Sequence, residues 1–294
     1  MMPLDYIHCD VFAAAPYAGN SLAVFVDPPD LTTAQMLTIT QELRHFETIF
    51  VWSSPEPNRF RARVFDLIEE LPFAGHPVIG AACAMHRRAG RDANAVWTVE
   101  LNEGRCVTVA VSEARGTLQG KLDQGRPEFL HALADDEIAP FAQAFGLAAS
   151  DIAAYRPQVI STGLHYLVLP VASGLASARI VVPDLEERLA AIGADFAYLF
   201  DPATMKGRHW NNDGIVEDIA TGSGAGPVGV FAVRHGIRLP GEVIGLRQGH
   251  FIGRPSRLDV TVHGTVDEIA RVEVAGPVAM VGHGTLDVLP GADG

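Results

Sequence analysis

Two stretches of the chain share a pattern that decides the fold. Residues 71–90 are LPFAGHPVIGAACAMHRRAG, and residues 217–236 are EDIATGSGAGPVGVFAVRHG. Each stretch begins with a short polar element that contains glycine, continues as small apolar residues and ends at a glycine. Because the apolar residues cover all sides of a helix, each stretch predicts a helix that is buried rather than half exposed. We predict these helices at about 77–88 and 225–235.

The spacing of the two stretches indicates a duplicated fold. Gly75 and Gly222 are 147 residues apart, and a second pair of turn glycines, Gly19 and Gly163, are 144 apart. Both spacings are close to half of the 294-residue chain, which predicts two similar lobes, although chance repetition is the alternative. We place the lobes at residues 1–135 and 150–294, with the boundary between about 130 and 156.

Local patterns predict further elements. Thr32 and Gln35 form a capping-box pattern for a helix that ends near Arg44. Runs of β-branched and aromatic residues between turn residues predict strands at 6–12, 22–26, 48–52, 61–65, 95–101, 106–111, 159–169, 179–182 and 258–262.

Composition excludes several classes of function. The chain has 22 Lys and Arg against 35 Asp and Glu, a net charge of −13, which argues against nucleic acid or an anionic membrane as partner. No apolar run approaches the roughly 18 residues of a membrane span, and the first residues lack a signal-peptide core. The cysteines, Cys9, Cys83 and Cys106, are far apart and form no CxxC. We therefore expect a cytoplasmic protein without disulfides or a metal site.

The starts of the two apolar helices are candidate anion sites. The N-terminus of a helix offers unpaired N–H groups and a positive dipole end. Gly75 and Gly222 would let a substrate approach the backbone, and His76 and Ser223 would add side-chain donors. Ordinary tight turns are the alternative.

Three carboxylates are candidates for proton transfer. Glu47 lies within the apolar stretch 45–50, HFETIF, where burial would raise its pKa toward neutrality. An exposed loop acid, or a partner for Arg44, is the alternative. Glu217 and Asp218 precede the second glycine turn, and we expect one to cap the helix and the other to reach the substrate, with capping alone as the alternative.

Five motifs follow one another along nearly the whole chain. They are DVF at 10–12 with YAGNSLAV at 17–24, FETIFV at 46–51, LPFAGHP at 71–77, EDIATGS at 217–223 and GRPS at 253–256. In this order they resemble the PhzF-like phenazine biosynthesis isomerase family, within the diaminopimelate-epimerase-like superfamily.

The resemblance implies an α/β (α+β) fold of two pseudo-symmetric lobes, each a curved mixed β-sheet around a central helix, with the active site between them. A C-terminal segment is expected to pack back on the first lobe. The family is commonly homodimeric and needs no cofactor or metal, and its activity is the isomerisation of trans-2,3-dihydro-3-hydroxyanthranilate. One glutamate, corresponding to Glu47, acts as base and then as acid. The matching positions imply His76 and Asp218 as further catalytic residues, and Asn20, Gly75, Gly222 and Ser223 as substrate-binding residues.

Departures from the family pattern narrow this expectation. The epimerase branch of the superfamily uses two cysteines as acid and base, and Ala74 and Thr221 stand in their places here, which excludes a two-thiol mechanism. Phe46 replaces a serine and Ile219 replaces a proline, so we expect an altered pocket for a small carboxylate substrate. A lyase or dehydratase, and a non-catalytic binder of small molecules, are the alternatives to an isomerase.

Overall fold

The computed structural model describes residues 3–90, 94–114 and 116–291, and it divides into two compact units. The first unit contains the chain up to Asp123 and from Ala275 onward, and the second runs from Gln124 to Val274. The chain thus enters the second unit a few residues before the 130–156 window, and its C-terminal residues belong to the first unit.

The first unit is built mainly from strands. In chain order its elements are β1 (Leu4–Val11), β2 (Asn20–Val26), α1 (Thr33–Leu43), β3 (Glu47–Ser53), β4 (Arg59–Asp66), β5 (Glu70–Leu71), α2 (Gly75–Arg88), β6 (Ala95–Glu100), β7 (Cys106–Ala114) and β8 (Thr117–Gly125). The main path of its sheet has the order β1-β2-β3-β4-β6-β7-β8. The β2/β3 and β4/β6 pairs are parallel, and the other pairs are antiparallel.

The second unit repeats this mixture. Its elements are β9 (Glu128–Ala132), α3 (Asp135–Ala144), β10 (Gln158–Ser161), β11 (His165–Pro170), α4 (Leu185–Ala191), β12 (Phe196–Asp201), β13 (Lys206–His209), α5 (Gly222–Arg234), β14 (Val243–Gln248), β15 (Ser256–Gly264) and the start of β16 (Ile269–Leu286). In its sheet the strands from β9 to β15 are neighbours in the same order as in the chain. The β11/β12 and β13/β14 pairs are parallel. The later part of β16 pairs with β1 in the first unit.

The pairing pattern reveals the duplication. From β1 to β7 in the first unit, successive pairs alternate antiparallel, parallel, antiparallel, parallel, antiparallel. From β10 to β15 in the second unit the same alternation occurs. α2 lies in the connection between β4 and β6, the second parallel pair of its unit, and α5 lies in the same way between β13 and β14. The expected mixed α/β fold of two similar lobes is confirmed.

The two central helices are buried, as their composition predicts. Every residue of α2 from Gly75 to His86 is buried, and so is nearly all of α5. Glycines allow this close packing: a Cβ on Gly80 would lie 2.5 Å from Leu22, and one on Gly229 would lie 2.4 Å from Val260. None of the described helices is long and apolar enough to cross a membrane.

Several local predictions are confirmed and two are wrong. Thr32 and Gln35 form the capping box that opens α1. The predicted strand at 159–169 is instead the hairpin β10–β11, because Gly163 turns the chain with a φ of 137°. The predicted strand at 179–182 is an irregular segment whose N–H groups bond the carbonyls at the end of α3, at Ala144 and Phe145.

Candidate active site

Three predicted site residues meet in the first unit. Asn20 begins β2, Glu47 begins β3, and His76 is the second residue of α2. Because β2 and β3 are parallel and Leu22 pairs with Glu47, the starts of both strands lie at one edge of the sheet. All three side chains are buried, with exposures of 0%, 7% and 3% for Asn20, Glu47 and His76. Glu47 is therefore not an exposed loop acid.

His76 connects the other two side chains. Its Nδ1 lies 2.7 Å from Oε2 of Glu47 and 3.3 Å from Nδ2 of Asn20. The contact is defined by distance, and when Glu47 is ionised a His76 ring with its hydrogen on Nδ1 stabilises the carboxylate electrostatically. When Glu47 holds a proton, the tautomer with hydrogen on Nε2 leaves Nδ1 free to accept it. The contact can therefore accommodate both protonation states that an acid–base catalyst must visit.

The second ring nitrogen of His76 has no hydrogen-bond partner among the described residues. Nε2 of His76 is buried and forms no hydrogen bond within the described part of the chain. Buried polar atoms are normally paired, so such an atom calls for a ligand or a water molecule. If Nε2 carries the hydrogen, it can donate a hydrogen bond to a bound molecule. If it does not, it can accept one.

The second unit holds Asp218 in a closed network before α5. Oδ2 of Asp218 accepts a hydrogen bond of 2.5 Å from Thr221 Oγ1, and Oδ1 accepts one from the N–H of Ala220 at 3.2 Å. The fully buried Gln248 completes the network. Its Nε2 donates to the carbonyl of Asp218 and to Thr221 Oγ1, and its Oε1 accepts from the Thr221 N–H and the Tyr198 hydroxyl.

Gly222 and Ser223 form the first turn of α5. Oγ of Ser223 lies 2.8 Å from the Tyr166 hydroxyl, and the Gly222 carbonyl accepts a hydrogen bond of 2.9 Å from Gln124. A Cβ on Gly226 would lie 2.0 Å from Oε1 of Gln124, so this glycine permits the close approach. The side chains around this turn are therefore held by specific contacts.

Neither central helix is capped by its own N-cap side chain. The N-cap of α2 is Ala74, which has no polar side chain, and the N-cap of α5 is Thr221, whose hydroxyl donates to Asp218 instead. These two residues occupy the same place at the start of the two helices. The absence of side-chain caps is compatible with an anion at each helix start.

Glu217 does not have either of its expected roles. It neither caps α5 nor is available to reach a substrate, because both of its carboxylate oxygens bind the guanidinium of Arg208. Its neighbour Asp218 bonds the segment just before the helix rather than the helical N–H groups. The expectation that one of these acids caps α5 is therefore wrong.

The cysteines have no part in these sites. Cys9 and Cys83 are buried, and burial raises the pKa of both thiols well above the ordinary range, which keeps them protonated. Cys106 is exposed on β7. With Ala74 and Thr221 at the two helix starts, the described residues offer no pair of opposed thiols.

Sequence reasoning missed the residues that support Asp218 and Ser223. Tyr166, Tyr198 and Gln248 come from three different strands, and no motif marks them. Burial raises the pKa of Tyr198 well above its ordinary value, so its hydroxyl remains a donor to Gln248. Tyr166 and Tyr198 lie among apolar residues of β11 and β12, whereas Gln248 ends β14 directly after Arg247 and gives no comparable signal.

Comparison with known proteins identifies the family. The model of the phenazine biosynthesis-like protein family matches residues 9–284. A trans-2,3-dihydro-3-hydroxyanthranilate isomerase from Pseudomonas chlororaphis is 31% identical over 96% of this chain and 98% of its own length. The structure of a protein from Pseudomonas aeruginosa described as a predicted epimerase is 44% identical, with a TM-score of 0.91, over 97% of this chain and 99% of that one. A Bacillus anthracis phenazine biosynthesis protein of the PhzF family shares the fold at 23% identity, with a TM-score of 0.81 over 98% of this chain and 100% of its own. The chain is therefore an isomerase that belongs to the phenazine biosynthesis-like family.

Proposed function

We propose that this isomerase moves a proton between two carbons of a small carboxylate, with Glu47 as its single acid–base. The observation that carries the proposal is the buried contact of 2.7 Å between Glu47 Oε2 and His76 Nδ1. Abstracting a proton from carbon needs a base that is shielded from water and can hold the proton until it is returned. Glu47 is shielded by its burial, and His76 can adjust its tautomer to either state of the carboxyl group.

The proposed reaction balances without another reactant. The carboxylate of Glu47 takes a proton from one carbon, and the electrons of that C–H bond shift along an adjacent double bond. The carboxylic acid then returns the proton to the carbon at the far end of the shifted bond. The product has the mass of the substrate, whereas a lyase or dehydratase would release a fragment or water.

The helix starts and the relatives both support the proposed substrate class. We assign Gly75, Gly222 and Ser223, together with Asn20, to binding of the substrate, and Asp218 to proton relay or orientation. The uncapped starts of α2 and α5 favour a carboxylate. Trans-2,3-dihydro-3-hydroxyanthranilate, on which curated relatives act, is the first compound to test. Phe46 and Ile219, at positions where the family resemblance expects serine and proline, make other small carboxylates the next candidates.

We also propose that the enzyme is a cytoplasmic homodimer, as the resemblance implies. Sedimentation equilibrium of the purified chain tests the assembly: a mass near twice 31.4 kDa is expected, and a single-chain mass contradicts it.

The decisive experiment is turnover by the Glu47→Gln variant, followed by mass spectrometry of the product. Glutamine keeps the size of the side chain but removes the base, so turnover should fall by about 10²–10⁴ or more. Glu42→Gln, an exposed change on α1 in the same unit, is the matched control and should keep full activity. A product that has the mass of the substrate when the reaction runs in ordinary water supports the proton shift. Loss of water supports a dehydratase, and a Glu47→Gln variant within a few-fold of wild type excludes Glu47.

A further inference from the structure

A cavity lies in the first unit, away from the candidate active site. It has a volume of about 840 Å³, within the range of about 300–1,000 Å³ that is usual for small-molecule sites. Its walls come from the first half of β1, the second half of β2, the last turn of α2 and the end of β16. All of these segments belong to the same unit.

The cavity and the candidate active site lie at opposite ends of one helix. His76 is in the first turn of α2, whereas Arg87 and Arg88 at the cavity are in its last turn. At 1.5 Å of rise per residue, His76 and Arg88 are separated by about 18 Å along the helix axis. A small molecule in the cavity therefore does not contact Glu47 or His76.

The floor of the cavity is apolar. Leu4, Val24 and Ala84 line it and are almost completely buried, and Tyr6 and Met280 line it as partly buried residues. A bound molecule would cover this surface with an apolar or aromatic body, which is the usual source of affinity in such sites.

The charged groups at the rim are not equally available. Both oxygens of Asp27 accept hydrogen bonds from Ser53, at 2.7 and 2.8 Å, and Oδ1 of Asp5 accepts one of 2.7 Å from Thr285. Two arginines at the rim, in contrast, have unused donors.

Arg87 makes a single long contact of 3.4 Å with Glu113, at the limit of a hydrogen bond. Arg88 forms no hydrogen bond or ion pair within the described part of the chain. An arginine presents its donors in a planar fork that matches a carboxylate. The hydrogen-bond donors that remain unused at the rim therefore belong to cationic guanidinium groups, although Asp5 and Asp27 keep their negative charges there.

We propose that this cavity is a second binding site, which takes a small carboxylate with an apolar or aromatic body. The apolar body lies on Leu4, Val24 and Ala84, and the carboxylate meets the guanidinium groups of Arg87 and Arg88. The site is independent of the reaction assigned to Glu47, since a ligand there touches none of the residues proposed for that reaction.

Calorimetric titration of the full chain with benzoate tests this site. Benzoate has both required parts, whereas benzyl alcohol lacks the charge and inorganic phosphate lacks the apolar body, so both should bind about tenfold more weakly or worse. Arg88→Ala should weaken benzoate binding by about tenfold or more, because it removes a charge-assisted contact. Ala84→Met should also weaken it by filling the floor. Arg126→Ala, an exposed arginine in the second unit, is the matched control and should change nothing.

Benzoate is itself a small carboxylate and can enter the candidate active site, so the titration is repeated with His76→Phe. Binding that depends on Arg88 should persist in that variant, whatever happens to isomerase activity. Circular dichroism checks that Ala84→Met folds. Absent benzoate binding, or binding unchanged by both Arg88→Ala and Ala84→Met, overturns the proposal. So does a change of oligomeric state in Arg88→Ala, which would make this face a contact between copies of the chain.

Discussion

Arg208 and Glu217 form a bidentate ion pair in the interior of the second unit. Nε and Nη2 of Arg208 lie 2.9 and 2.5 Å from the two carboxylate oxygens, and the side chains are 9% and 8% exposed. Nη1 of Arg208 also donates to the carbonyls of Leu175, Ala176 and Ala178. Glu217 is thus committed to a structural role, and of the two adjacent acids only Asp218 can serve chemistry at the start of α5.

Glu217→Leu should destabilise the protein by about 3–5 kcal/mol, because it leaves the charge of Arg208 buried without its partner. The free energy of unfolding in urea measures this loss. Asp135→Leu is the matched control: Asp135 pairs with Arg156 at a surface where the two side chains are 87% and 50% exposed, so its loss should cost less than about 1 kcal/mol. Equal losses in the two variants would contradict the structural role given to Arg208 and Glu217.

His76→Gln should lower kcat by about 10- to 100-fold, a smaller loss than that of Glu47→Gln. Glutamine can still donate to Glu47, but it cannot exchange a proton between two ring nitrogens as the carboxyl group changes state. KM should rise by a smaller factor than kcat falls, because proton transfer depends on both ring nitrogens whereas binding loses at most the hydrogen bond at Nε2. Steady-state kinetics measure both constants, and an unchanged melting temperature separates this effect from a loss of folding. A change confined to KM would make His76 a binding residue only.

Gln248→Leu should destabilise the protein by at least about 2 kcal/mol, because it removes the partner of several buried polar groups at once. Those groups are the N–H and hydroxyl of Thr221, the carbonyl of Asp218 and the hydroxyl of Tyr198. We also expect kcat to fall, since the network fixes the turn that precedes Ser223. Gln158→Leu is the control, because the Gln158 amide makes a long contact of 3.4 Å with the Leu130 carbonyl near the surface. For this control, the free energy of unfolding in urea and the turnover should both stay close to the wild-type values.

Local composition was sufficient to predict the helices that organise the fold. α2 and α5 consist of small apolar residues, and this composition makes burial the favoured state without knowledge of their neighbours. The last strand, β16, was not predicted, because its local composition argues against a strand. β16 runs through Gly276, Pro277, Gly282 and Gly284, which are strand breakers in a local reading. Its length is maintained by pairing with β1, a contact between the two ends of the chain.

In the candidate site, too, some residues could be identified from the sequence and others could not. Glu47 and His76 lie in short motifs, so their residue types and positions could be identified from the sequence. Gln248 could not, because its role depends on bonds to Thr221 and Tyr198, which are 27 and 50 residues away along the chain. For Glu217, in contrast, the sequence position suggested a role that the structure does not support. Its position beside Asp218 indicated a role at the helix start, but the partner that decides its role, Arg208, lies in β13.

His209 should make the stability of the protein decrease in acid. Burial lowers the pKa of His209 below its ordinary value, although the nearby Asp218 carboxylate acts in the opposite direction. Nδ1 of His209 lies 2.9 Å from the Ala197 carbonyl, so this nitrogen carries the hydrogen and the neutral ring needs no second proton. In the unfolded chain the histidine takes up a proton as the pH falls below about 6.5, whereas the folded protein resists it. The free energy of unfolding contributed by this residue is therefore constant above that pH and decreases below it, by at most about 1.4 kcal/mol per pH unit, until the folded form is protonated as well.

The measurement is urea denaturation of wild type and His209→Gln between pH 8 and pH 5. Glutamine keeps a donor for the Ala197 carbonyl but does not titrate, so the difference in unfolding free energy between the two proteins should shrink as the pH falls. His235, whose pKa is also lowered by burial, is present in both proteins, and its contribution cancels in the difference. A difference that stays constant over this range would show that His209 does not resist protonation in the folded state. A difference that grows in acid would mean that the Asp218 carboxylate outweighs burial and that the folded protein holds His209 charged.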